Sequence, residues 1–219
     1  MNHHLFRKPN KPCSIKPAVP VPVIIKLSVI CVLAAIMNII LNNIFMNFLR
    51  FPLFLDTVFT AAITFAFGLV PGISVALLSW LIPSIFYNSL NFFILCSIAE
   101  VILIYALKPP APGFPAFTPK EKIIAFYIVV AAKLMILYFI CAITISILGG
   151  IINFLLQFFS GTQTDYIGVE DRFKLGLIMY NLPTLAVNIL SRIPVNIVDR
   201  FIVIFGGYFI SRGLVKLTR

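Results

Sequence analysis

Residues 57–99, TVFTAAITFAFGLVPGISVALLSWLIPSIFYNSLNFFILCSIA, form a run of 43 residues without a charged side chain. One membrane-spanning helix needs about 20 apolar residues, so a run of this length holds more than one helix. Proline and glycine interrupt helices, and we expect one break at Pro71-Gly72 and a second between Pro83 and Ser89. The run therefore predicts three consecutive apolar helices, over about 56–70, 72–87 and 90–107.

The composition assigns the whole chain to the same class. Of its 219 residues, 61% are hydrophobic and 11% are charged, and the mean hydropathy is +1.06. Soluble domains carry about 25% charged residues, so a soluble globular protein is excluded, and a disordered chain is excluded by the high hydrophobicity. We predict an all-α, multi-pass protein of the cell membrane. It would consist of a basic tail over 1–20 and a single transmembrane domain over 21–219, with further spans at about 24–49, 123–148 and 193–212.

The basic residues indicate how this bundle of about six spans is oriented. Cytoplasmic loops of membrane proteins carry an excess of lysine and arginine. With the N-terminus inside, 11 of the 17 Lys and Arg residues fall in cytoplasmic segments. These are Arg7, Lys8, Lys11, Lys16, Lys26, Lys108, Lys120, Lys122, Arg212, Lys216 and Arg219. We therefore expect both termini to be cytoplasmic.

A polar segment over about 159–191 interrupts the apolar pattern before the last span. Residues 175–191 are uncharged, but they contain Asn181, Pro183 and Asn188. We expect an external segment that is re-entrant or lies on the membrane surface. The alternative is a seventh span over 175–191, which would put the basic C-terminus outside.

Charged side chains within the spans need a partner, because a charge near the bilayer centre costs about 2.5–3.5 kcal/mol. Glu100 lies about 12 Å from the inner end of its span, and Lys133 lies about 16 Å from the same end of the next span. Since the two spans are consecutive, we expect Glu100 and Lys133 to form an intramembrane ion pair. A snorkelling lysine and a proton or substrate relay are the alternatives.

Polar side chains also form a stripe on the last span. Arg192, Asn196 and Arg200 follow one another at intervals of four residues and share one helix face, and Asp199 lies beside Asn196. Lipid cannot satisfy such groups, so the stripe faces protein or water. Either it belongs to a substrate site open to the outside, or it clamps the last span to spans 1 and 2.

The outer ends of the spans are expected to form an external cup that binds a substrate. Trp80 and Tyr87 would either stack on a planar ring of that substrate or belong to an interfacial aromatic belt. At least two asparagines of span 1, such as Asn38 and Asn42, are expected to hydrogen-bond between helices instead. The residues expected to bind the substrate are Asn47, Asp56, Trp80, Tyr87, Asn88, Asn91, Asn196, Asp199 and Arg200.

Small residues in span 1 predict a close contact with another helix. Cys31, Ala34 and Ala35 provide the small-x-x-x-small pattern that lets helices approach one another. The sequence contains no Walker A, G-x-G-x-x-G or H-E-x-x-H motif. The four cysteines form no C-x-x-C pair, so we expect small hydrophobic side chains and neither a metal site nor a cofactor.

Three segments resemble the substrate-binding (S) component of energy-coupling-factor (ECF) vitamin transporters. They are FLDTVFTAA at 54–62, FGLVPGISVALL at 67–78 and RIPVNIVDRFI at 192–202. The resemblance implies a compact six-span bundle that captures a vitamin-like molecule from outside, beneath the loop over about 49–56. It also implies that span 1 docks on a transmembrane coupling subunit through Cys31, Ala34 and Ala35.

In such a transporter, two ATPases on other chains supply the energy, so this chain would not be an enzyme. The net charge of +10 comes mostly from residues in the tails and one loop, so membrane orientation explains it and we expect no nucleic-acid partner. A second hypothesis is a sensory or scaffold module in the lipid bilayer, without transport activity. A third is a membrane enzyme acting on lipid-linked substrates with Glu100, Asp199 or Arg200, which would need its catalytic groups clustered at one interface.

Overall fold

The described residues in the computed structural model of this chain are 21–49, 53, 55–86, 92–110, 119–160 and 169–217. All of their regular structure is helical, which confirms the prediction of an all-α bundle. Ile44–Phe48 continues the first helix as a π-helical turn. The helices are α1 Val21–Asn43, α2 Val58–Phe67, α3 Leu69–Phe86, α4 Ile94–Leu107, α5 Lys120–Ser160, α6 Val169–Met179, α7 Thr184–Leu190 and α8 Ile193–Leu217.

Several of these helices have the length and composition of membrane spans. Within the described residues, four segments are long and apolar enough to cross a bilayer: Val23–Met46, Leu69–Phe86, Lys120–Phe159 and Thr184–Lys216. The apolar helices α2 and α4 are shorter, with 10 and 14 residues. They extend over about 15 and 21 Å, less than the roughly 30 Å of a hydrocarbon core. Four of the six predicted spans thus reach spanning length, and these helices are those of a membrane protein.

Side-chain contacts give the direction of each helix in the bundle. Asn38 of α1 contacts Ser79 of α3 and Thr60 of α2, while Cys31 lies near Pro71, so α1 and α3 are parallel. Further contacts pair α4 antiparallel to α3, α8 parallel to α2 and α5 antiparallel to α8. Helices α1, α3 and α5 therefore run one way, and α2, α4 and α8 run the other.

The first residue of α1 and the last of α8 consequently lie at the same end of the bundle, which we call the tail end. Leu27 of α1 and Leu214 of α8 pack against one common apolar cluster there. The opposite end is called the far end below. The two ends of the described helical bundle are therefore on one side of it, whereas the termini themselves, residues 1–20 and 218–219, lie outside the described residues.

Helices α2 and α3 form a hairpin whose turn is a single residue. Gly68 adopts a φ of 97°, a left-handed conformation that favours glycine. The break lies there and not at Pro71-Gly72 as predicted, because Pro71 falls in the first turn of α3, where a missing N–H is tolerated. A Cβ at Gly72 would lie 2.2 Å from Thr64 Oγ1, so this glycine serves the close packing of α2 on α3. The second break was expected between Pro83 and Ser89, and α3 continues through Pro83 and ends at Phe86, within that range.

The longest helix, α5, continues well beyond the predicted span of 123–148. It contains 41 residues, about 62 Å at 1.5 Å per residue, and Gly149-Gly150 does not interrupt it. A Cβ at Gly150 would lie 2.8 Å from the Cα of Ile189, so the glycine allows α7 to pack directly on the last part of α5.

The segment over 159–191 contains no continuous helix over 175–191. Helix α6 ends at Met179, and α7 begins at Thr184 and leads into α8. With 11 and 7 residues, both helices are too short to cross a bilayer. A seventh span made of one continuous helix over 175–191 is therefore not present.

Asn38 links three helices at the centre of the bundle. It is completely buried, and its Nδ2 donates to Thr60 Oγ1 at 2.9 Å and to Ser79 Oγ at 3.2 Å. Its Oδ1 accepts from the backbone N–H of Phe59 at 2.9 Å. This N–H lies in the first turn of α2, where backbone donors lack partners within the helix, and Thr57 makes no side-chain cap.

Replacing Asn38 by alanine is expected to lower the free energy of unfolding by about 2 kcal/mol. The reason is that the N–H of Phe59 would remain buried without an acceptor. Chemical denaturation of the purified protein in detergent micelles measures the effect. Ser74→Ala is the control, since it removes an exposed hydroxyl that donates to Val70 O of its own helix. Equal midpoints for the two variants would contradict this role of Asn38.

Candidate functional site

The far ends of the helices enclose a cavity of about 580 Å³. Its wall is formed by α1, the start of α2, the second half of α3, the first half of α4, and parts of α5 and α8. Amide and hydroxyl groups from several of these helices face it, as do charged and aromatic side chains. Among the described residues, the charged and aromatic members of the wall are Asp56, Arg192, Arg200, Trp80, Phe86 and Phe93.

The structure brings four of the nine predicted substrate-binding residues together in this wall. They are Asp56, Trp80, Asn196 and Arg200. Asp199 does not line the cavity, because its carboxylate is buried beside Arg200. The side chain of Asn47 and all of Tyr87, Asn88 and Asn91 lie outside the described residues.

A buried ionic cluster lies at one side of the cavity, centred on Arg200. Its Nη1 donates to Glu100 Oε2 and, at 3.0 Å, to Thr57 Oγ1. Its Nη2 donates to Asp199 Oδ2 at 2.5 Å. One guanidinium therefore connects α8 to α4 and to the residue that precedes α2.

The predicted ion pair between Glu100 and Lys133 is wrong. Glu100 is 1% exposed and pairs with Arg200 of α8, whereas Lys133 is exposed on α5. The prediction used sequence distance to estimate how deep each residue lies along its span. That distance gives the position along the helix axis, but not the face of the helix on which the side chain lies. Helix α4 directs Glu100 into the bundle, and α5 directs Lys133 outwards.

The sequence left two roles open for the polar stripe of the last span, a substrate site and a clamp between helices. In the structure the stripe both lines the cavity and bonds to other helices. Arg192, Asn196 and Arg200 all line the cavity, as residues of one helix face should. Asn196 also donates to Ser146 Oγ of α5 at 2.9 Å. The stripe thus joins helices and contributes to the cavity wall. In the described part of the chain, the bonds of Asn196 and Arg200 connect α8 to α5, to α4 and to the start of α2.

The asparagines of α1 differ in what they do. Asn38 connects helices, as expected for at least two of these amides, and Asn43 is exposed and donates to Ile39 O of its own helix. Asn42 lines the cavity, and its Oδ1 is buried without a hydrogen-bond partner. Arg200 Nε is a second unpartnered polar atom in a residue of the wall.

Asp56 lies before the first residue of α2, outside the helical spans. Burial raises the pKa of its carboxyl to about 6, an effect that the Arg200 guanidinium opposes and the Glu100 carboxylate strengthens. The side chain is half-buried and lines the cavity. It is therefore an acid that a bound molecule could contact.

Aromatic side chains complete the wall. Trp80 faces the cavity from α3, and Phe93 does so from the start of α4. The guanidinium of Arg192 lies 4.9 Å from the centre of the Phe93 ring, a distance typical of a cation–π interaction. A planar group entering the cavity would meet aromatic carbon on α3 and α4.

Several residues of the cavity wall were not predicted from the sequence. Thr57, Thr60, Ser79 and Ser97 line the cavity, but serine and threonine in apolar helices commonly bond to their own backbone. Thr64 does so in this structure, donating to Thr60 O at 2.7 Å. Their residue type therefore gave no signal, and only their place near the outer ends of the spans could have indicated the cavity.

The small residues of α1 are not available to a partner subunit. Cys31, Ala34 and Ala35 are at most 6% exposed and pack in one cluster with Ile63 of α2 and Val75 of α3. The prediction that these residues dock on a coupling subunit is wrong, because their close helix contact is made within the chain.

No group of three His, Cys, Asp or Glu side chains in the described part of the chain is arranged to hold a metal ion. Cys31, Cys96 and Cys141 are free and buried. Comparisons of the chain with protein-family models, curated proteins and solved structures gave no match.

Proposed function

We propose that this chain is the membrane-embedded substrate-capture subunit of an ECF-type importer in the cell membrane, and that it binds a small vitamin-like molecule from outside. The observation that carries the proposal is the cavity of about 580 Å³ at the far end of the bundle. Its volume lies in the range of about 300–1,000 Å³ that is usual for small-molecule sites. Its wall combines apolar and aromatic surface with a few convergent polar groups, as such sites do.

The position of the cavity supports uptake from the non-cytoplasmic side. Both ends of the described helical bundle lie at the tail end, and the excess of basic residues in the tails favours a cytoplasmic location for that end. The cavity then lies near the outer face. Asp56, Trp80, Asn196 and Arg200 are the residues that we propose to contact the substrate.

The energy for transport would come from other subunits. The sequence has no Walker A motif, so we propose that a transmembrane coupling subunit and two ATPases accompany the chain, which is not itself an enzyme. With Cys31, Ala34 and Ala35 buried, such a coupling subunit would contact the exposed large side chains of α1, which include Leu33, Ile36 and Met37.

Filling the cavity tests the capture function. The protein is purified in mild detergent, and small molecules that co-purify are identified by mass spectrometry after denaturation. Ser97→Trp places a large ring in the cavity wall of α4, and we expect it to reduce the bound compound at least tenfold. Ala106→Trp is the matched control, because Ala106 is exposed on the same helix.

The outcomes separate the proposal from a sensory or scaffold module without transport. A scaffold binds no small molecule, so the absence of any compound from the wild-type protein, or equal retention by Ser97→Trp, would overturn capture. A sensory module has no ATPase partner. Isolation from native membranes, followed by identification of accompanying subunits, should recover ATPases if the importer proposal is right.

A further inference from the structure

Acidic side chains outnumber basic ones among the described residues around the cavity. Among the described residues in its wall or directly behind it, the acids are Asp56, Glu100 and Asp199, and the bases are Arg192 and Arg200. Three carboxylates against two guanidinium groups leave one negative charge if all are ionised. Burying an uncompensated charge in a low-dielectric region is costly, so this excess calls for a positive charge or a proton.

The positive charge of Arg200 is already used within the protein. Its two terminal nitrogens donate to Glu100 and Asp199, and only its Nε has no partner. Arg192 places its guanidinium over the ring of Phe93. An anionic ligand would therefore have to compete with two carboxylates for Arg200, which disfavours a negatively charged substrate.

Asp56 is the carboxylate at which the excess negative charge is accessible. It lines the cavity, whereas Glu100 and Asp199 do not. The charge of Arg200 acts favourably on the Asp56 carboxylate, but the guanidinium is bonded to the other two acids, Glu100 and Asp199. A cation in the cavity would find its strongest electrostatic attraction there.

We propose that the cavity selects an organic molecule that carries one positive charge, with this charge held at the Asp56 carboxylate. This proposal deepens the capture function and depends on it. Arg200 is 4% exposed and its Nε lacks a hydrogen-bond acceptor, which the same molecule could supply. The buried Asn42 Oδ1 lacks a hydrogen-bond donor, which the same molecule could supply. Trp80 lines the same cavity, and an aromatic ring there favours a cation.

Three probes of similar size and different charge test the selection. Benzyltrimethylammonium is permanently cationic, benzyl alcohol is neutral and benzoate is anionic. Each is titrated against the full chain in lipid nanodiscs, and binding is read from the shift of the unfolding temperature and from calorimetry. We expect binding of the cation and at least tenfold weaker binding of the other two.

The variant Asp56→Asn is expected to weaken binding of benzyltrimethylammonium about 30-fold, corresponding to loss of one partner of a desolvated charge pair. Glu121→Gln is the matched control, because it removes an exposed carboxylate from the first turn of α5. Asp56 precedes α2 and is half-buried, so the variant should fold. Its unfolding temperature and elution profile check this directly.

Lowering the pH should weaken binding of benzyltrimethylammonium, as Asp56→Asn does. Protonation of Asp56 below pH of about 6 removes the negative charge, so affinity for the permanent cation falls as pH decreases through this value. Among the described residues, the charged groups that act on Asp56 are Glu100 of α4 and Asp199 and Arg200 of α8, and Arg192, which precedes α8, lines the same cavity. The Asp56→Asn variant should show a flat profile over the same range.

Several results would overturn the charge assignment while leaving capture intact. Preferential binding of benzoate or benzyl alcohol is one, and a neutral or anionic compound that co-purifies and depends on the cavity is another. An equal, Asp56-dependent shift with sodium chloride would identify an inorganic ion in place of an organic one and would also overturn it. By contrast, only failure of the Ser97→Trp test concerns capture itself.

Discussion

Replacing Arg200 by methionine is expected to lower the free energy of unfolding by about 3–5 kcal/mol, the usual cost of removing one partner of a buried ionic cluster. The arginine is 4% exposed and is bonded to two carboxylates and a hydroxyl. Methionine fills similar space but leaves Glu100 and Asp199 buried together without a counter-charge. Denaturation in detergent micelles, with gel filtration to detect aggregation, measures the loss.

A charge-free cluster is the decisive comparison. The triple variant Arg200→Met, Glu100→Gln, Asp199→Asn removes the charges together, and buried ion pairs can often be replaced by neutral groups without loss of stability. We expect the triple variant to recover most of the stability lost by Arg200→Met. Glu100→Gln alone should cost less than Arg200→Met, because Arg200 keeps Asp199 and Thr57. A triple variant no more stable than the single one would contradict this account.

The general architecture was predictable from the sequence because hydrophobicity and charge act on whole segments. Long uncharged runs predicted apolar helices, and the all-α class is confirmed. Helix ends were less accurate: the break expected at Pro71-Gly72 lies at Gly68. Proline in a first turn and a glycine that allows close packing look the same in a sequence as residues that end a helix.

The ionic cluster shows why pairing could not be predicted. An apolar helix carries little information about which face points inwards, because a membrane allows apolar residues all round it. Glu100 was therefore assigned to Lys133, the basic residue at a similar depth in the next span. Its observed partner, Arg200, is 100 residues away, and only tertiary packing brings the two together.

The partner of the small residues in α1 could not be predicted from the sequence either. The cavity, by contrast, was partly predictable. The spacing of Cys31 and Ala35 predicts that some helix comes close, but not that the helix belongs to the same chain. Residues near the outer ends of alternating spans must meet, and this argument correctly grouped Asp56, Trp80 and Arg200. Phe93 and Ser97 were missed because neither residue type is unusual in an apolar helix.

The contact between α2 and α8 provides the second large expected effect. A Cβ at Gly207 would lie 2.8 Å from Ala61 Cβ and 3.2 Å from Val58 O. These atoms belong to a rigid helix, so Gly207→Val must push α2 away from α8. Overpacking of this kind costs about 1–3 kcal/mol, occasionally more, and we expect about 3 kcal/mol because backbone as well as side chain is in the way.

Gly206→Val is the matched control for this substitution, because a Cβ at Gly206 would lie 3.9 Å from Val58 Cγ1. It should change the free energy of unfolding by less than about 1 kcal/mol. Ala61→Gly combined with Gly207→Val should restore part of the loss, since it removes the closest opposing atom. The substitution should also weaken ligand binding, because α2 begins directly after Thr57 and Thr57 is bonded to Arg200 in the cavity wall. Equal stability of the two valine variants would show that α2 and α8 are not held together at Gly207.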